Sequence, residues 1–128
     1  MASELNLNIL LAEDNPVNQM VTGKLLKTLG CRCTVANNGV ECLEYLQNNH
    51  YDLILMDCMM PELDGLEATR RIRAAGADIP IVALTAKAMP ADEQACRDAG
   101  MDDYIDKPVS LERMKRILSL WADRISKP

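Results

Sequence analysis

Asp52-Leu53-Ile54-Leu55-Met56-Asp57 is the stretch that decides the fold. Four apolar residues in a row, without polar alternation, read as a strand buried on both faces, as the strands of a parallel sheet are. This strand ends in a carboxylate. Working outward, Leu7–Ala12 leads into Glu13 and Asp14, Ile79–Leu84 into Thr85, and the short Asp103–Ile105 into Asp106 and Lys107. Acids, a hydroxyl and an ammonium thus fall on one edge of a sheet. In an open α/β sheet that edge, outside the carboxyl ends of the strands, is where ligands bind.

Helix signals alternate with these strands across short connections. Asn15 caps a first helix with Pro16 in its first turn, and Val17, Val21, Leu25 and Leu29 form its expected apolar stripe, ending at Gly30. Cys31–Ala36 gives strand two, and Asn37-Asn38-Gly39 turns into a helix through Leu46. After the loop 58–64, Gly65–Ala74 reads as helix three, with Arg70, Arg71 and Arg73 as an expected solvated face. A weaker helix runs from about Pro90 to Ala99. Ser110 caps the last one, whose apolar side is Leu111, Met114, Ile117, Leu118 and Trp121. The expected fold class is α/β: one doubly wound, five-stranded parallel sheet of flavodoxin-like order 2-1-3-4-5, with right-handed crossovers and helices on both faces. The expected domain is single, 1–128, with strand-helix pairs from about 7 to 124.

A chain of 128 residues, 48% hydrophobic and 26% charged, has room for one core and not two. The formal charge of −5 and pI near 4.8 argue against a nucleic-acid surface. There is no apolar stretch of membrane-spanning length, and the first residues lack the regions of a signal peptide, so the expected location is cytoplasmic. Five cysteines, mostly within apolar segments, read as reduced, half-buried thiols. Cys58 beside Asp57 is the one to watch. With His50, the only histidine, in a polar loop, thiol catalysis is not expected.

The sheet order sets the chemistry. Strand one beside strand three brings Glu13 and Asp14 to Asp57, with Thr85 and Lys107 arriving from the other side. Carboxylates held this close repel one another and are best neutralised by a hard divalent cation, Mg²⁺ or Mn²⁺. A carboxylate oxygen of Asp57 is then free to attack phosphorus, while Lys107 and the Thr85 hydroxyl hold the oxygens of the transferred group. Taken alone, Glu13 and Asp14 could be helix-dipole charges, Thr85 a strand-end β-branched residue and Lys107 a surface charge. Those readings do not explain Asp57.

At LLAEDN, LILMDCMMPELDG, IVALTA and YIDKP the chain resembles the receiver domain of two-component response regulators, over essentially its whole length. The resemblance implies that Asp57 is the phosphoacceptor and that Glu13, Asp14 and Asp57 hold the metal with the backbone carbonyl of Met59. It further implies that Thr85 and Tyr104 are a switch pair, and that Lys107 binds phosphate ahead of a cis-proline, Pro108. Glu13 stands where the family pattern has Asp, which favours water-mediated over direct metal contact. EDNPVNQMV is most like the receivers of hybrid sensor histidine kinases. The implied partner is a histidine kinase or a histidine phosphotransfer domain, docking on the first helix at Asn18 and Met20; a weak dimer through the last helices is also kept open. Since only Ser126-Lys127-Pro128 follows the last helix, the expectation is a stand-alone or excised receiver. Such a chain is no kinase but catalyses its own phosphorylation and dephosphorylation.

Two rival classes share parts of this description. A haloacid-dehalogenase-type aspartyl-phosphate phosphatase needs a second acid two residues after its nucleophile, where Met59 stands. A flavodoxin-type electron carrier needs aromatics to stack its flavin, whereas aromatic content is 3% without Phe, and Glu13-Asp14 would repel the flavin phosphate.

Overall fold

The computed structural model describes residues 5–58, 64–85, 90–107 and 109–126. Five strands and five helices alternate: β1 (Asn8–Ala12), α1 (Pro16–Thr28), β2 (Arg32–Ala36), α2 (Gly39–Asn48), β3 (Leu53–Asp57), α3 (Gly65–Ala74), β4 (Ile81–Thr85), α4 (Pro90–Ala99), β5 (Asp103–Asp106) and α5 (Leu111–Ser126). The strands form one parallel sheet in the order β2-β1-β3-β4-β5. The expected fold class and strand order are those observed. Element ends differ by a residue or two; β4 starts at Ile81 rather than Ile79, because Pro80 has no N–H to give a ladder.

The pleat sorts each strand into two rows. Leu10 and Ala12, Ile54 and Met56, and Ile81 and Ala83 pack with Cys42, Ala68, Ile72 and Cys96 from α2, α3 and α4. Ile9 and Leu11, Leu53 and Leu55, Val82 and Leu84, and Ile105 pack with Leu26, Met114 and Leu118 from α1 and α5. Burial of this kind contributes roughly 1.5–3 kcal/mol for each large side chain, so the central strands carry much of the stability.

Local chemistry starts the helices where they start. The Asn15 carboxamide oxygen accepts from the N–H groups of Val17 (2.9 Å) and Asn18 (3.1 Å), Asn38 accepts from Glu41 N (2.8 Å), and Asp64 from Glu67 N (2.9 Å). Glu41 returns the favour, its Oε1 accepting from Asn37 N at 2.9 Å. At the start of α5, Ser110 Oγ accepts from Arg113 N at 3.2 Å.

Three expectations need correcting. The inward face of α1 is Thr22, Leu26 and Leu29, not the stripe of Val17, Val21, Leu25 and Leu29: Val17 and Val21 are exposed, 65% and 45%. Thr22, 3% exposed, takes the buried place that the stripe gave to Val21. Likewise Leu111 of α5 is 40% exposed, and Met114 and Leu118 do the burying. Arg73 also leaves the solvated face assigned to it. Its guanidinium donates to Gly100 O (2.9 Å), Ala77 O (3.0 Å), Ile79 O (2.8 Å) and Asp102 Oδ2 (2.8 Å), and Asp102 Oδ2 also accepts from Ile81 N at 2.9 Å. One side chain thus ties the end of α3 to the starts of β4 and β5. Arg70 and Arg71 do lie outside, each 3.2 Å from Glu67.

Arg73→Ala should therefore lower the free energy of unfolding by roughly 1–3 kcal/mol, because four carbonyl or carboxylate acceptors lose a charged donor. Arg70→Ala, which removes only an exposed pair, should cost under about 1 kcal/mol. Urea denaturation of both variants checks this, and equal losses would contradict the cross-linking role.

Candidate functional site

Three residues continue the row that packs under α1 and α5: Glu13 follows Ile9 and Leu11, Asp57 follows Leu53 and Leu55, and Lys107 follows Ile105. A period of two therefore aims all three at one side of the sheet edge. The geometry agrees. Lys107 Nζ is 3.1 Å from Glu13 Oε1 and 3.1 Å from Asp57 Oδ2, with both carboxylates nearly closed to solvent. Asp14 is exposed, yet one carboxylate oxygen from each of Glu13, Asp14 and Asp57 lies within 4.8 Å of the others. Three hard oxygen donors at that spacing suit a hard divalent cation.

Glu13 is held from every side. Its N–H donates to Ala36 O at 3.0 Å, and its Oε2 accepts from Asn15 N at 3.2 Å. Its carbonyl accepts from Gln19 Nε2 at 2.6 Å, and that same amide donates to Asn37 Oδ1 at 2.8 Å. Gln19 is a residue that sequence reasoning did not single out. Its signal was available only as a spacing: six residues after Glu13, at the fourth residue of α1, about one turn in.

Burial pushes the Glu13 carboxyl above its ordinary value, and the neighbouring Asp57 adds to this; the Asn15 N–H and Lys107 act in the opposite sense without prevailing. For Lys107, burial works against the ammonium, but the hydrogen bond and charge of Asp57, then those of Glu13, outweigh it and hold the amine above its ordinary value. The site is a compensated cluster in which an excess of acid is shared among few cations.

The residue after β3 is tied to β4 and to the start of α3. Cys58 N donates to Leu84 O at 3.2 Å, and Cys58 O accepts from Gly65 N at 3.3 Å. A Cβ on Gly65 would lie 2.2 Å from the Asp57 carbonyl oxygen, so only glycine lets α3 begin this close to Asp57. Cys58 itself is half-buried, its Sγ 3.5 Å from Cys96 Sγ. Burial, then Cys96 and Asp57, push its thiol well above the ordinary value, which is the reverse of an activated nucleophile. All five cysteines are unbridged. His50 is solvated, its side chain 90% exposed.

Thr85 and Tyr104 lie on the other row. Thr85 follows Ile81 and Ala83, and Tyr104, the register partner of Ala83, packs with the α2–α4 side of the core. Backbone pairing links their neighbourhood to the acid cluster, since Lys107 N donates to Thr85 O at 2.8 Å. Asp103 anchors the start of β5, accepting from Tyr104 N (2.9 Å) and from Trp121 Nε1 (3.3 Å). On α1, Met20 is 66% exposed and Asn18 half-buried. Met59 and Pro108 lie outside the described residues.

A parallel sheet of this order carries its acid cluster and a lysine together on its carboxyl edge. The chain matches the response regulator receiver domain family over residues 9–119 and belongs to it. Over 122 residues it is 39% identical to the sensor histidine kinase RcsC of Escherichia coli K12, covering 95% of this chain and 13% of the kinase. It is 41% identical over 123 residues to hybrid signal transduction histidine kinase K of Dictyostelium discoideum, covering 89% of this chain and 10% of that protein. The chain is thus a small fraction of the length of these relatives. Among solved structures, the receiver domain of a sensor histidine kinase from Pseudomonas aeruginosa PAO1 is 46% identical with a TM-score of 0.85, covering 92% of this chain and 98% of that one. That structure has a magnesium ion coordinated in the active-site cleft. A Saccharomyces cerevisiae response regulator receiver, co-crystallised with a histidine phosphotransfer protein, is 30% identical with a TM-score of 0.90, covering 95% and 92% of the two chains. Membership of the receiver family sets aside the phosphatase and flavodoxin readings. No helix among the described residues is long and apolar enough to cross a membrane.

Because the folded-state pKa of Glu13 lies above its ordinary value of 4.5, protonated Glu13 stabilises the fold below that value, and the contribution is lost as pH rises through the raised pKa. In metal-free buffer Glu13→Gln should therefore gain stability relative to wild type as pH climbs from about 4.5 into the neutral range. Urea midpoints at several pH values read the gap; one that stays constant would contradict a strained, buried Glu13 carboxylate.

Proposed function

We propose that residues 1–128 are one receiver domain whose Asp57 accepts a phosphoryl group from a phosphohistidine, with Mg²⁺ or Mn²⁺ held by Glu13, Asp14 and Asp57. The observation that carries this reading is the three-carboxylate cluster, within 4.8 Å, capped by a lysine 3.1 Å from both Asp57 and Glu13. When bound, the cation supplies charge that offsets the carboxylates and polarises the phosphoryl oxygens. The remaining steps belong to the chain. An Asp57 carboxylate oxygen attacks phosphorus, the phosphorus–nitrogen bond of the donor breaks, and its electron pair returns to the imidazole, which takes up a proton. Lys107, already at the acceptor oxygen, faces the oxygens of the transferred group. Glu13, pinned by Asn15, Gln19 and Ala36, would reach the metal through water. The backbone carbonyl of Met59 as a further ligand, and a cis peptide at Pro108, belong to the same reading. The same chemistry, with water attacking the aspartyl phosphate, gives self-dephosphorylation.

Thr85 and Tyr104 serve as the switch pair: the phosphoryl group draws the Thr85 hydroxyl, and Tyr104 moves into the space vacated. A ligand shifts such an equilibrium only through differential contact, and here the contact is Thr85 with the phosphoryl group. The response would emerge on β4, β5 and the last helices, where exposed Leu111, Leu120 and Ile125 on α5 would also serve a weak dimer. The donor is a helical histidine-bearing domain, of a kinase or a phosphotransfer protein, and the chain works as the receiver of a hybrid sensor histidine kinase or as a stand-alone partner of one, in the cytoplasm. Its docking face is the outer side of α1, where Val17, Met20 and Val21 are exposed beside Asn18.

Acetyl phosphate with Mg²⁺ should add one phosphoryl group to wild type and none to Asp57→Asn, with excess EDTA abolishing the reaction. Intact mass reads it, and equal labelling of the variant would sink the assignment. Met20→Glu should slow transfer from a phosphohistidine donor about tenfold, the effect of losing roughly 1.4 kcal/mol at an interface. Labelling by acetyl phosphate, which needs no docking, should stay unchanged; equal slowing in both assays would make α1 a support of the site rather than a recognition surface.

A further inference from the structure

We propose that Cys58 and Cys96 form a thiol–disulfide site, oxidised by a hydroperoxide, that links the residue after Asp57 covalently to α4. Their sulfurs lie 3.5 Å apart although the residues are 38 positions apart in sequence. Among the described residues they are the one pair of thiols in such contact, and both are reduced. A disulfide needs its sulfurs to close by only about 1.5 Å, within reach of small side-chain rotations. Both ends sit on anchored backbone. Cys58 is fixed through Leu84 O and Gly65 N, and Cys96 O accepts from Met101 N at 3.0 Å. Access is unequal in a useful way: Cys58 is partly exposed, whereas Cys96 is only 6% exposed.

That asymmetry orders the chemistry. Cys58 is not an activated nucleophile, so the step is slow and needs excess hydroperoxide: its sulfur attacks one oxygen, the oxygen–oxygen bond breaks, and the thiol proton leaves with the departing oxygen as water (or an alcohol), leaving a sulfenic acid. The Cys96 sulfur then attacks the Cys58 sulfur, the sulfur–oxygen bond breaks, and a second water carries off the thiol proton. Two electrons pass from the thiol pair to the peroxide, and an external dithiol reverses the step. Buried Cys96 acts as the resolving thiol. The site does not depend on phosphoryl chemistry, so it can be tested apart from the phosphoacceptor reading.

The test is disulfide mapping of the full chain after hours in excess hydrogen peroxide, with free thiols alkylated after denaturation. Peptides rather than intact mass must be read, because eight methionines also take up oxygen. The expected product is a linked pair of peptides carrying Cys58 and Cys96, reversed by dithiothreitol, with Cys31, Cys33 and Cys42 still alkylated. Neither Cys58→Ser nor Cys96→Ser should yield a linked pair. Alkylation of both Cys58 and Cys96 in wild type whose methionines have been oxidised, or a bridge from either to another cysteine, would overturn the proposal.

Discussion

Lys107 between Glu13 and Asp57 is the interaction on which the rest of the site depends. Two carboxylates closed off from water at the end of an apolar sheet would each cost several kcal/mol if left uncompensated. A single ammonium, 3.1 Å from both, offsets part of that cost. It cannot satisfy them fully, as the raised Glu13 carboxyl shows. The shortfall is the useful part. A cluster with more negative charge than its own cation can neutralise is a standing attraction for an external one, and an electrophile arriving with that cation meets a carboxylate already stripped of water.

Holding such a cluster in place takes more of the molecule than the acids themselves. Glu13 is braced through β2 by Ala36, through the start of α1 by Asn15, and through Gln19 and Asn37 to the start of α2. Asp57 is braced by Gly65, whose missing side chain lets α3 begin against the Asp57 carbonyl. At the opposite end of the sheet, Arg73 does for the loops what Lys107 does for the acids, gathering acceptors from two loops under one cation.

The parts legible in the sequence were those governed by one-dimensional pattern. Four apolar runs ending in polar groups gave strands and the edge where those groups meet; caps at Asn15 and Ser110 and the turn Asn37-Asn38-Gly39 marked helix starts. What stayed hidden depends on rotation and on long-range contact. Val17, Val21, Leu25 and Leu29 satisfy helical spacing, yet Thr22 and Leu26 face the sheet, because periodicity fixes a stripe only to within a residue when apolar side chains lie on several faces. Arg73 looks like its neighbours Arg70 and Arg71 until α3 is placed beside the β4 and β5 loops. Nor could spacing reveal that Cys58 and Cys96 touch. At the site, the residue types were readable, but the bracing of Glu13 by Gln19 was not, since it joins a backbone carbonyl to a side chain six positions on.

The two rows of the pleat carry a further implication. Glu13, Asp57 and Lys107 stand on one row, Thr85 and Tyr104 on the other, and membership of a row is a matter of odd or even count along a strand. Substitution leaves that count alone, whereas one inserted or deleted residue inside a strand reverses everything beyond it. Such a domain can exchange most of its side chains and keep its chemistry, but it must change length only in its loops. Descent within this fold is then closer to rewriting the letters of a fixed metre than to lengthening the line.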